Sequence, residues 1–202
     1  MSFVLHNCYL SAMGLETVHF KCHHCNYCCT KVICLPTPWD VIRIVKATGL
    51  NPYRFLDFLT PDQISEVPAN DPTWLKCGGQ RYLMALQQHN HVCHFLNPVT
   101  RLCGIYEARP ILCRLFPFKY RESRDGRFLG FTLHSDVGCP RHRDGVVEVP
   151  ELYALYQEDE QHQQDYQDLV RVFNRKRYLG KRPQDFVEMF IVSNEQRAMS
   201  NE

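Results

Sequence analysis

The sequence predicts an α+β fold, in which helices and a short antiparallel sheet surround cysteine-bearing loops and C-terminal helices follow. Two observations support this prediction. Short segments with strand or helix patterns alternate before residue 145, separated by Gly, Pro and Asn residues. After Pro150, apolar residues recur at helical spacing. We therefore expect a compact mixed region first and a helical region after it.

The first predicted helix opens with residues 37–40 and continues up to Gly49. Pro38 stands in its first turn and Gly49 just beyond its end, which is typical of a helix with defined boundaries. Asn51 and Pro52 predict a second short helix that extends through residue 59. Residues 60–62 then predict a further turn or helix.

Two strands are predicted in the middle of the chain. Residues 81–86 form the first, with a return arm near residues 91–96, because glycines at 78–79 and polar residues at 87–90 favour turns on either side. Residues 127–133 form the second strand, preceded by a turn at residues 124–126.

The C-terminal region predicts a long helix over residues 151–178 and a shorter one over residues 185–192, separated by Gly180 and Pro183. Acidic residues precede basic ones along the long helix, an order that complements the helix dipole. The basic residues at 175–177 leave a protein partner open as an alternative.

Charge and hydropathy exclude several classes of function. The chain has 23 Lys and Arg residues against 22 Asp and Glu residues, so bulk attraction to nucleic acid or anionic lipid is not expected. No apolar run approaches the roughly 18 to 20 residues of a membrane span. Residues 1–14 do not resemble a secretory signal. We therefore expect a cytoplasmic protein, in which cysteines remain reduced and act as metal ligands more often than as disulfides.

The 11 cysteines include a dense early group and a spaced later group. The early group is a C-x2-C-x2-C-C string, and this spacing lets a turn bring successive sulfurs onto one ion or cluster. Adjacent side chains diverge, which leaves open whether both members of the doubled cysteine bind one metal. The later cysteines follow at wider intervals. Together they predict eight thiolate ligands, enough for two four-thiolate sites or one polynuclear centre: Cys22, Cys25, Cys28, Cys29, Cys93, Cys103, Cys113 and Cys139.

The remaining cysteines, Cys8, Cys34 and Cys77, lie outside this spacing pattern and are expected to be ordinary small apolar residues. Histidines are also numerous near the cysteines. If the site mixes sulfur and nitrogen ligands, His94 and His23 are the first candidates.

Arginines flank one of the later cysteines. Thiolates at this density repel one another unless a cation neutralises them. Arg109 and Arg114 lie on either side of Cys113 and could offset that charge, or they could pair with Glu107 or another carboxylate.

These motifs together resemble the YkgJ-type cysteine-cluster family over about residues 20–140. The resemblance rests on the early string, the segment at residues 39–44, Cys93-x-Phe95-Leu96, residues 103–110 and Cys113-Arg114-x-Phe116-Pro117. That family is described as a zinc- or iron-chelating domain and is similar to the flagellin lysine N-methylases. The resemblance implies metal ligation by the eight cysteines, and Arg109, Pro110 and Arg114 match its second motif.

Three functions follow as alternatives. The favoured one is a metal-binding protein whose thiolates hold iron, as an iron–sulfur cluster, with zinc as the rival metal. A protein-lysine N-methylase-like enzyme is the second, although no G-x-G-x-x-G run is present and no catalytic residue is identified. A zinc-stabilised protein-interaction module is the third. The expected organisation is an N-terminal extension, a cysteine-cluster metal-binding domain and a C-terminal helical segment with a tail, over residues 1–19, 20–145 and 146–202.

Overall fold

The computed structural model describes residues 17–125, 127–135 and 138–199, and it has the predicted α+β fold. The α-helices of this part of the chain are α1 Tyr27–Lys31, α2 Pro38–Thr48, α3 Ile111–Leu115, α4 Val149–Arg175 and α5 Gln184–Met199. The strands are β1 Thr17–His19, β2 Leu56–Leu59, β3 Leu75–Cys77, β4 Gln80–Leu86, β5 Gln88–His89, β6 Val92–Cys93, β7 Phe118–Glu122, β8 Phe128–Leu133 and β9 Val146–Glu148.

Helix α2 confirms the first predicted helix. The Thr37 side chain accepts a hydrogen bond from the backbone N–H of Asp40, and the Asp40 carboxylate accepts one from the backbone of Thr37. This reciprocal arrangement is a capping box, which pairs backbone N–H groups that the first turn of a helix leaves free. Gly49 ends the helix with a φ of 66°, a conformation that glycine adopts without steric cost.

The predicted helix over residues 51–59 is wrong. A single 3-10 turn, Pro52–Arg54, occupies its start, where Asn51 accepts a hydrogen bond from the backbone of Tyr53. Strand β2 follows and pairs antiparallel with β4, with Leu56 opposite Leu86. Pairing with a long neighbouring strand and burial of Leu56 therefore override the local helix-start signal. Residues 60–62 form a turn.

Strand β4 confirms the predicted strand, but its predicted return arm is wrong. The sheet order is β2-β4-β3, so β4 pairs with two earlier segments. Residues 92–93 pair instead with β5, across a tight turn in which Asn90 and His91 have φ values of 52° and 64°. Two consecutive positive φ values are typical of the two-residue turns that close short hairpins. The predicted return arm therefore pairs with the short strand β5, residues 88–89, and not with β4.

The predicted strand over residues 127–133 is confirmed as β8. It pairs antiparallel with β7, with Phe118 opposite Leu133. Residues 124–125 lie in the expected turn, and residue 126 falls outside the described residues. Phe128 and Phe131 of β8 pack with Val149 and Leu152 of α4 in a second hydrophobic cluster.

The two predicted C-terminal helices are present, and they complete the main hydrophobic core. Val170 and Phe173 of α4 and Phe186 of α5 are essentially buried, as is Ile44 of α2. Burial of aromatic side chains from both ends of the chain supplies most of the driving force for their association. No helix within the described ranges combines the length and apolar character that crossing a bilayer requires.

A short strand pair brings the early cysteines near the last one. Strand β1 precedes Cys22 and strand β9 follows Cys139, and these strands pair antiparallel, with Thr17 opposite Glu148. The pairing continues through a hydrogen bond from the backbone N–H of Phe20 to the carbonyl of Gly145, 3.0 Å long. Cysteines that are more than a hundred residues apart in sequence are therefore held side by side.

Candidate functional site

The eight cysteines predicted as ligands surround one cavity of about 440 Å³, which we call the thiol cavity. Every cysteine in the described part of the chain is a free thiol, so none is joined in a disulfide. The structure thus brings the early and later groups together, while ligation by each residue stays a prediction. The cysteines on the cavity wall are Cys22, Cys25, Cys28, Cys29, Cys34, Cys93, Cys103, Cys113 and Cys139.

The early string enters the cavity through an irregular loop that leads into α1. Residues His24 and Asn26 have φ values of 53° and 63°, and this left-handed backbone coils the loop between Cys22 and Cys28. Cys28 and Cys29 then lie on the first turn of α1. Contrary to the expectation that adjacent side chains diverge, their Sγ atoms lie 3.9 Å apart.

The later cysteines come from three separate elements. Cys93 ends β6, and Cys103 forms an isolated β-bridge with Leu96 in the following loop. Cys113 lies in the middle of helix α3. All three also pack against the main hydrophobic core, which fixes one wall of the cavity to the rigid part of the fold.

Six cysteines form what we call the inner thiol group. The Cys113 thiol donates to Cys34 Sγ at 3.5 Å, and Cys28 and Cys29 form the second close pair. Electrostatic interactions link Cys93 and Cys103 to each other and to both pairs. The members of the group are Cys28, Cys29, Cys34, Cys93, Cys103 and Cys113.

The other three cysteines form an outer thiol group. Cys139 is buried and interacts with Cys25 and Cys22, both of which are exposed. Across the described ranges, no three His, Cys, Asp or Glu side chains are grouped closely enough to hold one ion as they stand. The sulfurs therefore occupy the walls of the cavity and do not converge on a single point.

The thiols strongly perturb one another. A hydrogen bond from Cys29, followed by smaller contributions that include the charge of Arg109, lowers the pKa of Cys28 to about 7. The same hydrogen bond, together with burial, raises the pKa of Cys29. Burial raises the pKa of Cys93 to about 11 and also raises that of Cys103. Full ionisation of this group therefore requires additional positive charge, which bound metal supplies.

Arg109 is positioned beside these sulfurs. Its guanidinium lies over the ring of Tyr106, 3.9 Å from the ring centre, and its backbone carbonyl accepts a hydrogen bond from Arg43. Its Nε atom is buried without a hydrogen-bond partner in the protein. A buried N–H donor without a partner is costly, and an anionic metal–thiolate centre would satisfy it. Arg114 also lines the cavity but is exposed.

Asp40 connects helix α2 to the helix that carries Cys113. Its fully buried carboxylate accepts hydrogen bonds from the Thr37 backbone and hydroxyl, from Arg43 and from the backbone N–H of Ile111. Ile111 is the first residue of α3. Four donors therefore compensate the burial of this charge and hold the start of α3 in place.

The histidines predicted for a mixed site do not line the thiol cavity. His23 hydrogen bonds with Asp144 at 2.9 Å, and its ring contacts that of His142, with ring centres 4.0 Å apart and planes tilted by 36°. His94 packs edge to face against Phe95, and burial lowers its pKa. Among the described residues, the cavity wall includes His24, which is one of the histidines near the cysteines that the sequence leaves as possible ligands but is not one of the first candidates.

Two of the cysteines that were expected to be ordinary apolar residues, Cys34 and Cys77, lie in different parts of the structure. Cys77 is buried in the main core, away from the thiol cavity. Cys34 is also buried, but it lies on the cavity wall in contact with Cys113. The sequence pointed to Cys34 only through its closeness to Cys29, which is not a ligand spacing. Cys8 lies outside the described residues.

Comparison with known proteins agrees with this arrangement. An uncharacterized protein of Methanocaldococcus jannaschii is 32% identical over 81 residues, which are 38% of this chain and 42% of that protein. The match therefore spans less than half the length of that relative. No solved structure is significantly similar to the chain. The family CxxCxxCC, whose description reads "Putative zinc- or iron-chelating domain", matches residues 21–140, which contain the whole cysteine cluster. With that match covering more than half of its length, the chain belongs to the CxxCxxCC family of metal-chelating domains.

Proposed function

We propose that the thiol cavity holds iron as an iron–sulfur cluster, with ligands drawn from the eight predicted cysteines. The observation that supports this proposal is the spread of many thiols around about 440 Å³ without convergence on one point. A single zinc ion needs four ligands at roughly 2.3 Å from one centre. A polynuclear centre takes its thiolates from a wider perimeter, because several irons and bridging sulfides lie between them.

The chemistry of the donor set also fits this group. Soft thiolates bind both iron and zinc, so donor type alone does not choose between them. Arg109 fits an anionic metal–thiolate centre of either kind, because its unpartnered Nε is a donor suited to negative charge. Hydrogen bonds and charge near the sulfurs are among the features that tune the potential of such clusters.

The decisive experiment is anaerobic purification followed by quantification of iron, acid-labile sulfide and zinc, together with visible absorption. The proposal expects iron and sulfide in comparable amounts and a brown protein whose absorption bleaches on reduction. A colourless protein that contains only zinc would overturn it.

The alternative to the iron–sulfur cluster is a protein-interaction module in which zinc binds the same cysteines. The 3.9 Å separation of Cys28 and Cys29 is close to the roughly 3.8 Å expected between two sulfurs on one tetrahedral zinc. In that case zinc would fix the loops, and a protein partner would bind elsewhere on the surface. The same metal analysis separates this alternative from the cluster.

The free thiols also bear on the compartment. We infer a reducing environment, as in the cytoplasm, because the ten described cysteines are free and two pairs of sulfurs lie within 4 Å. Oxidation would compete with metal binding for these thiols. Metal uptake on reconstitution should therefore be lower after the metal-free protein is exposed to an oxidant, and treatment with a thiol reductant before reconstitution should restore it.

Replacing Arg109 with Gln is expected to lower the reduction potential of the bound cluster. The substitution removes a positive charge and a donor beside the thiolates, which makes addition of an electron less favourable. Arg114→Gln is the matched control, because Arg114 lines the cavity but is exposed and its charge is screened by solvent. Spectroscopic redox titration measures both variants. Equal potentials in the two variants would contradict a specific role for Arg109.

A further inference from the structure

A second cavity, of about 450 Å³, lies next to the thiol cavity. The two share part of their walls, including Cys28, Cys34 and Cys113. The β7–β8 hairpin and helix α4 form another part of its wall, to which Tyr120, Phe131 and Tyr156 contribute. Its volume lies within the range of sites that bind small molecules.

Asp159 of helix α4 supplies a buried charge to this second cavity. Only 7% of the residue is exposed, and its Oδ1 atom is buried without a hydrogen-bond partner. The neighbouring Gln163 side chain acts to lower the pKa of this carboxyl group, but by less than burial raises it. Burial, the largest cause, raises its pKa to about 6. At neutral pH the carboxylate is therefore mostly ionised, yet one of its oxygens has no donor in the protein.

The lysine that shares this cavity does not compensate the charge of Asp159. Lys119 lines the same cavity from strand β7 but is exposed and leaves the free oxygen of Asp159 unpaired. His134 also lines the cavity, and its backbone is held by hydrogen bonds to Pro117 and Arg141. A buried carboxylate without a cationic partner is unfavourable, so a ligand that brings a cation would relieve the cost.

The rest of the wall determines what kind of cation fits. Tyr120 stacks on Tyr156 with ring centres 4.0 Å apart and planes at 6°, and Phe131 packs edge-on against Tyr120. Phe116 and Phe118 add further apolar surface. An ammonium group on an aliphatic stem fits such walls, because the carboxylate pairs with the charge and the apolar surface packs against the stem.

We propose that this second cavity binds a small aliphatic amine in its ammonium form, with Asp159 as the carboxylate that pairs with the ammonium group. Two of the predicted metal ligands, Cys28 and Cys113, also line this cavity, so a bound amine would lie beside the wall that the two cavities share. The proposal rests on Asp159 and the apolar wall, and it does not depend on which metal the thiol cavity holds.

Calorimetric titration of the full protein, purified anaerobically with its metal, tests the proposal with n-pentylammonium as the probe. We expect binding to the wild type and affinity weaker by about tenfold or more in Asp159→Asn, since the variant loses a charge-assisted hydrogen bond. Glu158→Gln is the matched control. It removes the same charge from an exposed position on the same helix and should bind as the wild type does.

Three further measurements keep the result interpretable. The neutral analogue 1-pentanol should bind the wild type more weakly than n-pentylammonium does, a comparison that needs no variant. Lys119→Gln should strengthen binding of n-pentylammonium, because it removes a like charge from the cavity wall. Asp159→Asn should melt no lower than the wild type, since an incompletely paired buried charge is removed. Equal affinity of wild type and Asp159→Asn, or no preference for the amine over the alcohol, overturns the proposal.

Discussion

Replacing Cys103 with Ser is expected to reduce bound metal well below the wild-type amount and to lower the melting temperature sharply. Cys103 belongs to the inner thiol group and lies in the loop that bridges back to Leu96. A hydroxyl is a poor ligand for the soft metals that thiolates bind. Because metal binding to such sites is coupled to folding and can contribute about 10 kcal/mol, loss of metal and loss of stability should occur together.

Cys77→Ser is the matched control for this effect. Cys77 is buried in the hydrophobic core, but it lies in strand β3, away from the thiol cavity. Placing a hydroxyl there is expected to cost about 1 to 3 kcal/mol while metal content stays unchanged. Metal analysis and thermal unfolding measured on the same preparations separate the two effects. Equal metal content in the Cys103 and Cys77 variants would contradict the assignment of the cavity as a metal centre.

The elements predicted correctly from sequence are those whose signals are local. Thr37, Pro38 and Gly49 set the boundaries of α2 through capping and backbone preferences, which depend on neighbouring residues alone. The segment over residues 51–59 has a similar start signal, but its secondary structure depends on pairing with β4, which lies more than twenty residues later. Pairing between distant segments has no local signature, so the pattern of residues 51–59 alone does not predict strand β2.

In the candidate site, too, local sequence predicts some residues, whereas others depend on packing between distant segments. Cysteine spacing together with the family resemblance nominated eight of the nine cysteines that line the thiol cavity, because ligand motifs are local in sequence. The inclusion of Cys34 depends on how α3 packs against the loop after α1, which spacing does not encode. His23 looked suitable through its position beside Cys22, yet its side chain pairs with Asp144, far away in sequence.

The second cavity was not predicted for a related reason. Asp159 occurs among several acidic residues on α4, where the sequence indicates only a solvated helical face. Its burial arises because the β7–β8 hairpin packs across that part of the helix. A single buried carboxylate among exposed ones becomes distinguishable only when the packing is known.

Asp40 presents the opposite case, a buried carboxylate whose donors are all supplied by the protein. Thr37 and Arg43 bind it from its own helix, and Ile111 binds it from the helix that carries Cys113. A substitution of Asp40 should therefore have two effects. It leaves the buried donors around the carboxylate without their acceptor, and it frees the start of α3, which positions one wall of the thiol cavity.

Asp40→Asn is accordingly expected to lower the free energy of unfolding by about 3 to 5 kcal/mol and to reduce metal content as well. The amide leaves Arg43 without its buried counter-charge and turns a donor toward groups that are themselves donors. Chemical denaturation of the metal-loaded protein, with metal analysis of the same samples, measures both effects.

The chain offers a matched control for this variant in Asp168→Asn. Asp168 pairs with Arg171 at the same spacing on a helix, but both side chains are more than half exposed, at 55% and 57%. An exposed pair contributes only about 0 to 1 kcal/mol, so this variant should keep nearly all of its stability and all of its metal. If Asp40→Asn were no more destabilising than Asp168→Asn, the carboxylate could not be what holds α2 and α3 together. If it were destabilising but retained full metal content, the start of α3 would not position Cys113, and the link between this buried charge and the thiol cavity would have to be abandoned.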